Sequence, residues 1–327
     1  MIKAVLLFIL GLLLLIKGGD WFVEGATAIA KKFHIPEILI GATVVSIGTT
    51  LPEVMVSASA AALGQGDMAY GNAIGSIICN VSLIAALTIA IKPGTVEKKT
   101  LKKPVIFFFI AAIIYSIVAY VMGFFYRWTG LLLLGVFVVY ISVLVISAKK
   151  EMGNHTDEAS EEETKEETKE KPFIYNIGLL VIGAVLITIG ARLLVNNGTF
   201  IASELGVPET VIALTFVALG TSLPELVTAI TSLVKGHGAL SLGNIIGANI
   251  LNLVLVSGVS IVINPFKVPT EKLLSGMNAS LVLDIPLMLT VMLLLTLPPL
   301  LKGKLYRWQG ILLLLIYAGY TVFQFAG

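Results

Sequence analysis

Two nearly identical stretches, Gly48-Thr-Thr-Leu-Pro-Glu53 and Gly220-Thr-Ser-Leu-Pro-Glu225, lie 172 residues apart in this chain. Each places a glutamate in the middle of an apolar segment. A charge at the centre of a bilayer costs about 2.5–3.5 kcal/mol on insertion scales, so each glutamate should face the protein interior or a water-filled cavity. We expect no Lys or Arg at the same depth to pair with them. Two carboxylates without a basic partner indicate a cation site, and together they would balance one divalent ion.

The composition of the chain fits a membrane environment. Of its 327 residues, 57% are apolar and 13% are charged, and the mean hydropathy is +0.97. A bilayer-crossing helix needs about 20 mostly apolar residues. Ten such stretches lie near residues 4–30, 36–63, 71–91, 104–122, 128–148, 173–200, 208–234, 239–264, 278–300 and 308–326. The sequence therefore predicts an all-α polytopic membrane protein with ten transmembrane helices.

The two glutamate motifs belong to an internal repeat. Residues 36–83 align without a gap to residues 208–255, with 19 identities in 48 positions. A second match, Tyr126-Arg-Trp128 with Tyr306-Arg-Trp308, puts the fifth predicted span of each half in register. Because five is odd, the second half should enter the membrane from the opposite side. Two inverted five-helix repeats of this kind are typical of secondary transporters, whose ion site lies at the repeat interface near the midplane.

A charged segment separates the two halves. Residues 149–171 carry nine of the 20 acidic and five of the 22 basic residues. Such a composition cannot bury a core and predicts a mobile linker. We therefore expect a first five-helix repeat at 1–148, an acidic cytoplasmic linker at 149–172, and a second, inverted five-helix repeat at 173–327.

The placement of Lys and Arg predicts the orientation, because cytoplasmic loops retain positive charge. Seventeen of these residues fall on one side of the predicted spans and five on the other. We expect a multi-pass protein of the cell membrane, with both termini outside and the 149–171 loop in the cytoplasm. The lipid bilayer is then its surroundings. A net charge of +2 gives no reason to expect a nucleic acid partner, and the sequence identifies no protein partner.

Oxygen-bearing side chains surround both glutamates at helical spacing. They are Ser46, Thr49 and Thr50 before Glu53, Thr221 and Ser222 before Glu225, and Asn72, Ser76, Asn80, Asn244 and Asn252 in the following helices. Oxygen-only coordination suits Ca²⁺ or Na⁺ better than zinc, copper or iron. The alternative is hydrogen bonding between helices by Ser, Thr and Asn. For Asn72 and Asn244, each preceded by Gly near a predicted helix start, we expect N-caps.

Proline follows the same pattern in both halves. Pro52 and Pro224 lack an N–H, so each should free the carbonyl four residues earlier, at Gly48 and Gly220. Freed carbonyls at membrane depth beside a cavity are a common device for binding Na⁺ or Ca²⁺.

The paired Gly-Thr-(Thr/Ser)-Leu-Pro-Glu and Gly-Asn-x-Ile-Gly-(Ser/Ala) motifs closely resemble the two alpha repeats of sodium/calcium exchangers, in the cation/calcium antiporter superfamily. The resemblance covers essentially the whole chain and is greatest to the compact prokaryotic members. It implies a ten-helix fold in which the second, third, seventh and eighth helices surround the ion sites. It also implies that the first and sixth helices slide across this core.

The resemblance also implies roles for individual residues. Glu53 and Glu225 would be the central carboxylates. The other implied metal ligands are Thr50, Ser222, Ser76 and Asn80 through side-chain oxygens, Ser46, Thr49, Ala218 and Thr221 mainly through backbone carbonyls, and Asn252 at a position that is Asp in some relatives. Ala248 departs from the family, which often has Ser there, and its lost hydroxyl should weaken one Na⁺ site.

The sequence thus predicts a transporter and not an enzyme: an antiporter that uses Na⁺ entry to extrude Ca²⁺, electrogenically, with these ions as substrates and no cofactor. A H⁺/Ca²⁺ exchanger of the same superfamily is the main alternative. A cation channel is disfavoured, because an inverted repeat around one buried cluster suits alternating access. An intramembrane hydrolase with Ser222 as nucleophile is also disfavoured, because no His or Lys is expected nearby to activate it.

Overall fold

The computed structural model describes residues 1–158, 172–206, 220–270 and 273–326. The helices in these ranges are α1 (Ile2–Lys32), α2 (Glu37–Ala62), α3 (Gly66–Ile91), α4 (Lys98–Met122), α5 (Arg127–Glu158), α6 (Phe173–Glu204), α7 (Leu223–Val234), α8 (Gly238–Ile263), α9 (Ser280–Lys302) and α10 (Arg307–Ala326). Eight of them, α1–α6, α8 and α9, are long and apolar enough to cross a membrane. The chain is therefore a helical polytopic membrane protein.

Most helix boundaries lie close to the predicted ones, with three differences. Helices α3 and α4 begin at Gly66 and Lys98, five or six residues before the predicted starts. Helix α5 continues to Glu158, into the segment predicted to be the linker, and the rest of that segment, residues 159–171, lies outside the described part. The seventh predicted span is described only from Gly220 onward.

Within the described ranges, four helices contain a π-helical turn, which accommodates one extra residue within a helix. These turns are Gly41–Val45 in α2, Asn80–Ala85 in α3, Asn252–Val256 in α8 and Ser280–Asp284 in α9. In α8, the carbonyl of Asn252 accepts a hydrogen bond of 3.0 Å from the hydroxyl of Ser257, five residues later in the chain. Turns of this kind occur frequently at functional sites.

Helices α3 and α8 form the centre of the bundle. Their most apolar segments are 72% and 83% buried, whereas the corresponding value is 28% for both α1 and α6. The side chains that pack between α3, α4, α8 and α9 include Ile77, Phe108, Leu253 and Met292, all fully buried. Polar residues in the middle of these two helices, such as Asn80 and Asn249, are therefore shielded from both lipid and water.

Helices α1 and α6 run antiparallel with their backbones in close contact. Glycines recur every seven residues on α1, at Gly11, Gly18 and Gly25, and two of them face Gly190 and Gly183 of α6. A methyl group at Gly18 would lie 2.8 Å from the backbone nitrogen of Ile187 and 2.9 Å from the carbonyl oxygen of Gly183. Only glycine permits this approach. We call these five glycines the glycine seam.

The loops meet at two opposite ends of the bundle. At one, the strand end, β1 (Phe124–Phe125) pairs antiparallel with β2 (Phe266–Lys267), joining the α4–α5 loop to the loop after α8. The two-residue strands β3 (Leu273–Leu274) and β4 (Met277–Asn278) form a hairpin in that same loop. These short strands are the part of the described chain that an all-α prediction misses.

At the other end, which we call the lysine end, Thr95 and Lys304 form a β-bridge between the α3–α4 and α9–α10 loops. Two ion pairs also lie there. Lys235 Nζ is 3.3 Å from Asp20 Oδ1, linking the end of α7 to α1, and His237 Nδ1 is 2.7 Å from Glu37 Oε1.

Candidate ion site

The two glutamates of the repeated motif meet in the centre of the protein. Glu53 lies on α2 and Glu225 in the first turn of α7, and neither has any exposed surface. Their carboxyl groups lie close enough to interact electrostatically. The hydroxyl of Thr50 donates a long hydrogen bond of 3.5 Å to Glu225 Oε1, so α2 and α7 share polar contacts at this point. The repeat thus brings together two acids that are 172 positions apart in the sequence.

Most of the oxygen atoms around this pair have no hydrogen-bond partner in the described part of the protein. The buried unpaired oxygens are Glu53 Oε1 and Oε2, Glu225 Oε2, Ser222 Oγ, Asn80 Oδ1 and Asn252 Oδ1. Buried polar groups in proteins are nearly always paired, so a cluster of unpaired oxygens is unusual. Carboxylate, amide and hydroxyl oxygens are the ligands preferred by Ca²⁺. The cluster has the donor set of a hard-cation site.

Asn80 and Asn252 hold equivalent positions in the two halves, and each is the first residue of a π-helical turn. Both side chains are fully buried. A π turn changes the direction in which neighbouring side chains project from a helix. The shared irregularity therefore aims one amide from each half toward the bundle centre.

The remaining predicted ligands occupy the same region with different partners. Ser46 Oγ donates to the carbonyl of Thr43 at 3.1 Å, and Thr49 Oγ1 donates to Asn244 Oδ1 at 3.2 Å. Ser76 is buried on α3, and Thr221 is half-buried in the turn before α7. The hydroxyls of Ser46 and Thr49 are thus already engaged. Ala218 lies outside the described residues.

The prediction that Asn72 and Asn244 are N-caps is wrong. Both lie inside their helices, because α3 begins at Gly66 and α8 at Gly238. Asn72 Nδ2 instead donates to Ser57 Oγ at 2.7 Å and to the carbonyl of Glu53 at 3.3 Å. The two asparagines therefore tie α3 and α8 to α2 beside the glutamate.

The prolines of the motif differ in their surroundings. Helix α2 continues through Pro52, whereas Gly220–Ser222 form a turn and α7 begins only at Leu223, with Pro224 in its first turn. The second half is therefore less regular than the first at the equivalent point.

A cavity of about 530 Å³ lies beside the glutamate motifs, between α2, α3, α6 and the turn before α7. Its described lining includes Pro52, Asn72, Arg192, Thr221 and Pro224. Arg192 borders the same cavity as both prolines. Arg192 forms no ion pair with either glutamate within the described ranges.

Sequence reasoning missed Asn249 of α8. It is fully buried and accepts a hydrogen bond of 3.2 Å from Asn80 Nδ2. Its counterpart in the first half is Ile77, so the repeat gives no signal for it. A polar residue in an otherwise apolar span was the one available indication.

Comparison with known proteins extends over nearly the whole chain. A family profile described as "Sodium/calcium exchanger protein" matches residues 3–146 and 175–326. The chain is 34% identical to an uncharacterized membrane protein of Methanocaldococcus jannaschii over 312 residues, which cover 95% of this chain and 94% of that protein. It is 32% identical to the sodium/calcium exchanger MaX1 of Methanosarcina acetivorans over 350 residues, 98% of each.

A solved structure is similar in fold as well. The sodium-calcium exchanger NCX_Mj, soaked with Na⁺ and Sr²⁺, superposes with a TM-score of 0.80 at 33% sequence identity, and the match covers 97% of both chains.

Proposed function

Because the chain belongs to the sodium/calcium exchanger family, a family of cation antiporters and not of enzymes, we propose that it exchanges Na⁺ for Ca²⁺ by alternating access. One observation carries the proposal. The buried carboxylates of Glu53 and Glu225 meet at the bundle centre, three of their four oxygens are unpaired, and no basic side chain neutralises them among the described residues.

The exchange would proceed by competition for the same oxygens. One Ca²⁺ balances the two carboxylates, and two Na⁺ balance them equally. Without a cation, two charges would have to cross the low-dielectric interior, which is strongly unfavourable. The protein would therefore change its orientation only when loaded, and this couples the two fluxes. If more than two Na⁺ exchange for each Ca²⁺, transport moves net charge, and the Na⁺ gradient drives Ca²⁺ out of the cell.

The proposed ligands fall into two groups, according to whether their side-chain oxygens already have a hydrogen-bond partner in the protein. Glu53, Glu225, Ser222, Asn80 and Asn252 offer side-chain oxygens that lack partners. The hydroxyls of Thr49 and Ser46 are engaged, which supports a role for their backbone carbonyls. Thr50, Ser76, Thr221 and Ala218 complete the proposed set. No resident cofactor is required, because the transported ions are the substrates.

We propose that the architecture is two inverted five-helix repeats, with ten transmembrane helices divided at the 149–172 linker. Three features support it: the meeting of the two glutamates, the equivalent π turns at Asn80 and Asn252, and the grouping of alternate loops at two ends. The lysine end would face the cytoplasm, with both termini outside. The cavity beside Arg192 would then be the external access path, since it also borders Met68 near the strand-end start of α3.

The test is Ca²⁺ uptake into proteoliposomes loaded with Na⁺, with K⁺, or with an acidic K⁺ buffer. We expect uptake only with internal Na⁺. The Glu53→Gln protein should take up no more Ca²⁺ than protein-free vesicles, because the glutamine carries no charge to balance the ion.

The matched control is Glu97→Gln, the same chemical change at an exposed position before α4. It should transport at the wild-type rate. Uptake driven by internal acid without Na⁺ would establish H⁺/Ca²⁺ exchange instead, and uptake without any counter-ion requirement would indicate a channel. Wild-type rates in Glu53→Gln would reject the site.

A further inference from the structure

Asn249 lies in the second layer of side chains around the proposed site, between helices α3 and α9. Its side chain accepts a hydrogen bond from Asn80 Nδ2 at 3.2 Å and donates one to the sulfur of Met292 at 3.4 Å. Asn80, Asn249 and Met292 are all fully buried. Water therefore does not compete for these contacts, and the three side chains form a continuous chain from α9 to the bundle centre.

The chain has a defined direction because its last member can only accept. A thioether sulfur carries no hydrogen, so the group of Asn249 that faces Met292 must be the amide nitrogen. The carbonyl oxygen of Asn249 then faces Asn80. Asn80 consequently directs its own nitrogen toward Asn249 and its Oδ1 away from it.

Asn80 Oδ1 is buried and has no partner within the described part of the protein. A cation can bind this carbonyl oxygen but would be repelled by the amide nitrogen, whose hydrogens carry partial positive charge. The two orientations of the Asn80 amide thus differ in whether position 80 can be a ligand. The outward contacts of Asn249 select the binding orientation.

The second half lacks this arrangement. Ile77 stands at the position equivalent to Asn249, and both amide atoms of Asn252 are without partners in the described ranges. Asn252 can rotate its amide to suit the ion, whereas Asn80 is held in one orientation. The two halves therefore present unequal ligands to a site that the repeat makes otherwise similar.

We propose that Asn249 is a positioning residue that fixes the Asn80 amide with its oxygen toward the transported cation, through the contact of Asn249 with Met292. This inference rests on the proposed function, since it assumes that Asn80 binds the transported ion. It assigns a role to a residue outside the predicted ligand set and makes the Ca²⁺ affinity depend on a side chain that does not touch the ion.

The test is a double-mutant cycle on Ca²⁺ binding to the purified full-length protein, measured by calorimetry in detergent without Na⁺. Asn249→Leu, close in volume and without polar atoms, should weaken Ca²⁺ binding about tenfold, the effect expected from losing one oriented ligand contact. Asn80→Ala should weaken it at least as much. If Asn249 acts only through Asn80, the double variant should bind no more weakly than Asn80→Ala alone.

Two further variants separate positioning from packing. Asn249→Asp keeps an oxygen acceptor toward Asn80 and should bind Ca²⁺ more tightly than Asn249→Leu. Met292→Leu removes the sulfur acceptor while preserving volume, and it should weaken Ca²⁺ binding by less than tenfold. This variant still tests the inference if Asn249→Leu fails to fold. The control is Asn264→Leu, which removes an interhelical hydrogen bond of 3.2 Å to the carbonyl of Ala61 and should leave the affinity unchanged.

Additive losses in the double variant, or wild-type affinity in both Asn249→Leu and Met292→Leu, would overturn the inference while leaving the exchanger intact. Absence of Ca²⁺ binding and of Na⁺-driven Ca²⁺ uptake by the wild-type protein would overturn the proposed function, and this inference with it.

Discussion

Among the buried polar side chains near Glu53 and Glu225, some have hydrogen-bond partners in the described protein and some have none, and this difference separates structural polar residues from proposed ligands. Leaving a buried polar group unpaired costs about 1–3 kcal/mol. Ser57 Oγ accepts from Asn72 at 2.7 Å and so stabilises the contact between α2 and α3. Ser222 Oγ, by contrast, has no hydrogen-bond partner in the described part of the chain. A buried hydroxyl oxygen without a hydrogen-bond partner in the protein is available to coordinate a bound ion.

We predict that Ser222→Ala will raise the Ca²⁺ concentration for half-maximal uptake about 2- to 10-fold, as expected for one lost hydrogen-bond-sized contact. Its thermal unfolding midpoint in ion-free buffer should stay the same or rise slightly, because the substitution removes no hydrogen bond within the described protein. Ser260→Ala is the control, since that hydroxyl bonds its own helix at Val256, 2.8 Å away. A lower midpoint with unchanged Ca²⁺ dependence would show that Ser222 is structural.

The residues of this site differ in how far the sequence alone reveals them. Glu53 and Glu225 are evident, because a charged residue in an apolar span is costly and its recurrence in a repeat indicates a functional site. The N-cap prediction for Asn72 and Asn244 fails because α3 begins at Gly66 and α8 at Gly238, six residues before each asparagine. The repeat does not point to Asn249, because Ile77 stands at the equivalent position. Its hydrogen bond with Asn80 of α3 is visible only in the folded structure.

At the scale of helices, the packing of α1 on α6 is unlike the packing around α3 and α8. In the glycine seam, backbones touch with no side chains between them, whereas the bundle centre is filled by large apolar residues. Helices that approach this closely gain van der Waals contact over their whole length. We therefore expect α1 and α6 to move as one unit against the rest of the protein.

We predict that Gly18→Ala will lower the thermal unfolding midpoint by several degrees and reduce Na⁺-driven Ca²⁺ uptake severalfold. The added methyl group would lie 2.8 Å from the backbone nitrogen of Ile187, and overpacking of this kind costs about 1–3 kcal/mol. Gly135→Ala, at an exposed position of α5 with no described atom within 4 Å, should be neutral or slightly stabilising. Equal behaviour of the two variants would contradict a tightly packed seam.

Hydropathy predicts where most helices lie but not their internal irregularities. A π turn such as Asn80–Ala85 inserts one residue without changing the apolar character of the span. Its presence depends on how the chain packs, and Asn80 would face a different direction in an uninterrupted α-helix. The sequence could assign the proposed ligands to helices but could not give the directions of their side chains.

For the molecule as a whole, the loops sort into two groups that do not mix among the described contacts. The strand end joins Phe124–Phe125 to Phe266–Lys267, and the lysine end joins Thr95 to Lys304. The excess of Lys and Arg in the predicted cytoplasmic loops, seventeen against five, is the basis for the proposal that the lysine end faces the cytoplasm. The proposed external cavity is at the end with fewer positive charges.

We predict that single cysteines at these two ends will be accessible from opposite sides of the membrane. In a Cys79→Ser background, Lys267→Cys should react with a membrane-impermeant maleimide in intact cells, because position 267 is exposed at the strand end. Lys304→Cys, exposed at the lysine end, should react only after the cells are opened. The reverse result would invert the proposed orientation, and labelling of both sites in intact cells would contradict the two-ended topology.

The unpaired oxygens at the bundle centre also bear on how long the protein lasts in its membrane. A ligand that binds only the folded state stabilises it by about 2.7 kcal/mol at one hundred times its dissociation constant. Na⁺ and Ca²⁺ would thus hold the helices together as well as pass between them. Quality-control proteases act on the unfolded fraction, so ion depletion on both faces would shorten the lifetime of the transporter. Its abundance would then follow the supply of its own cargo.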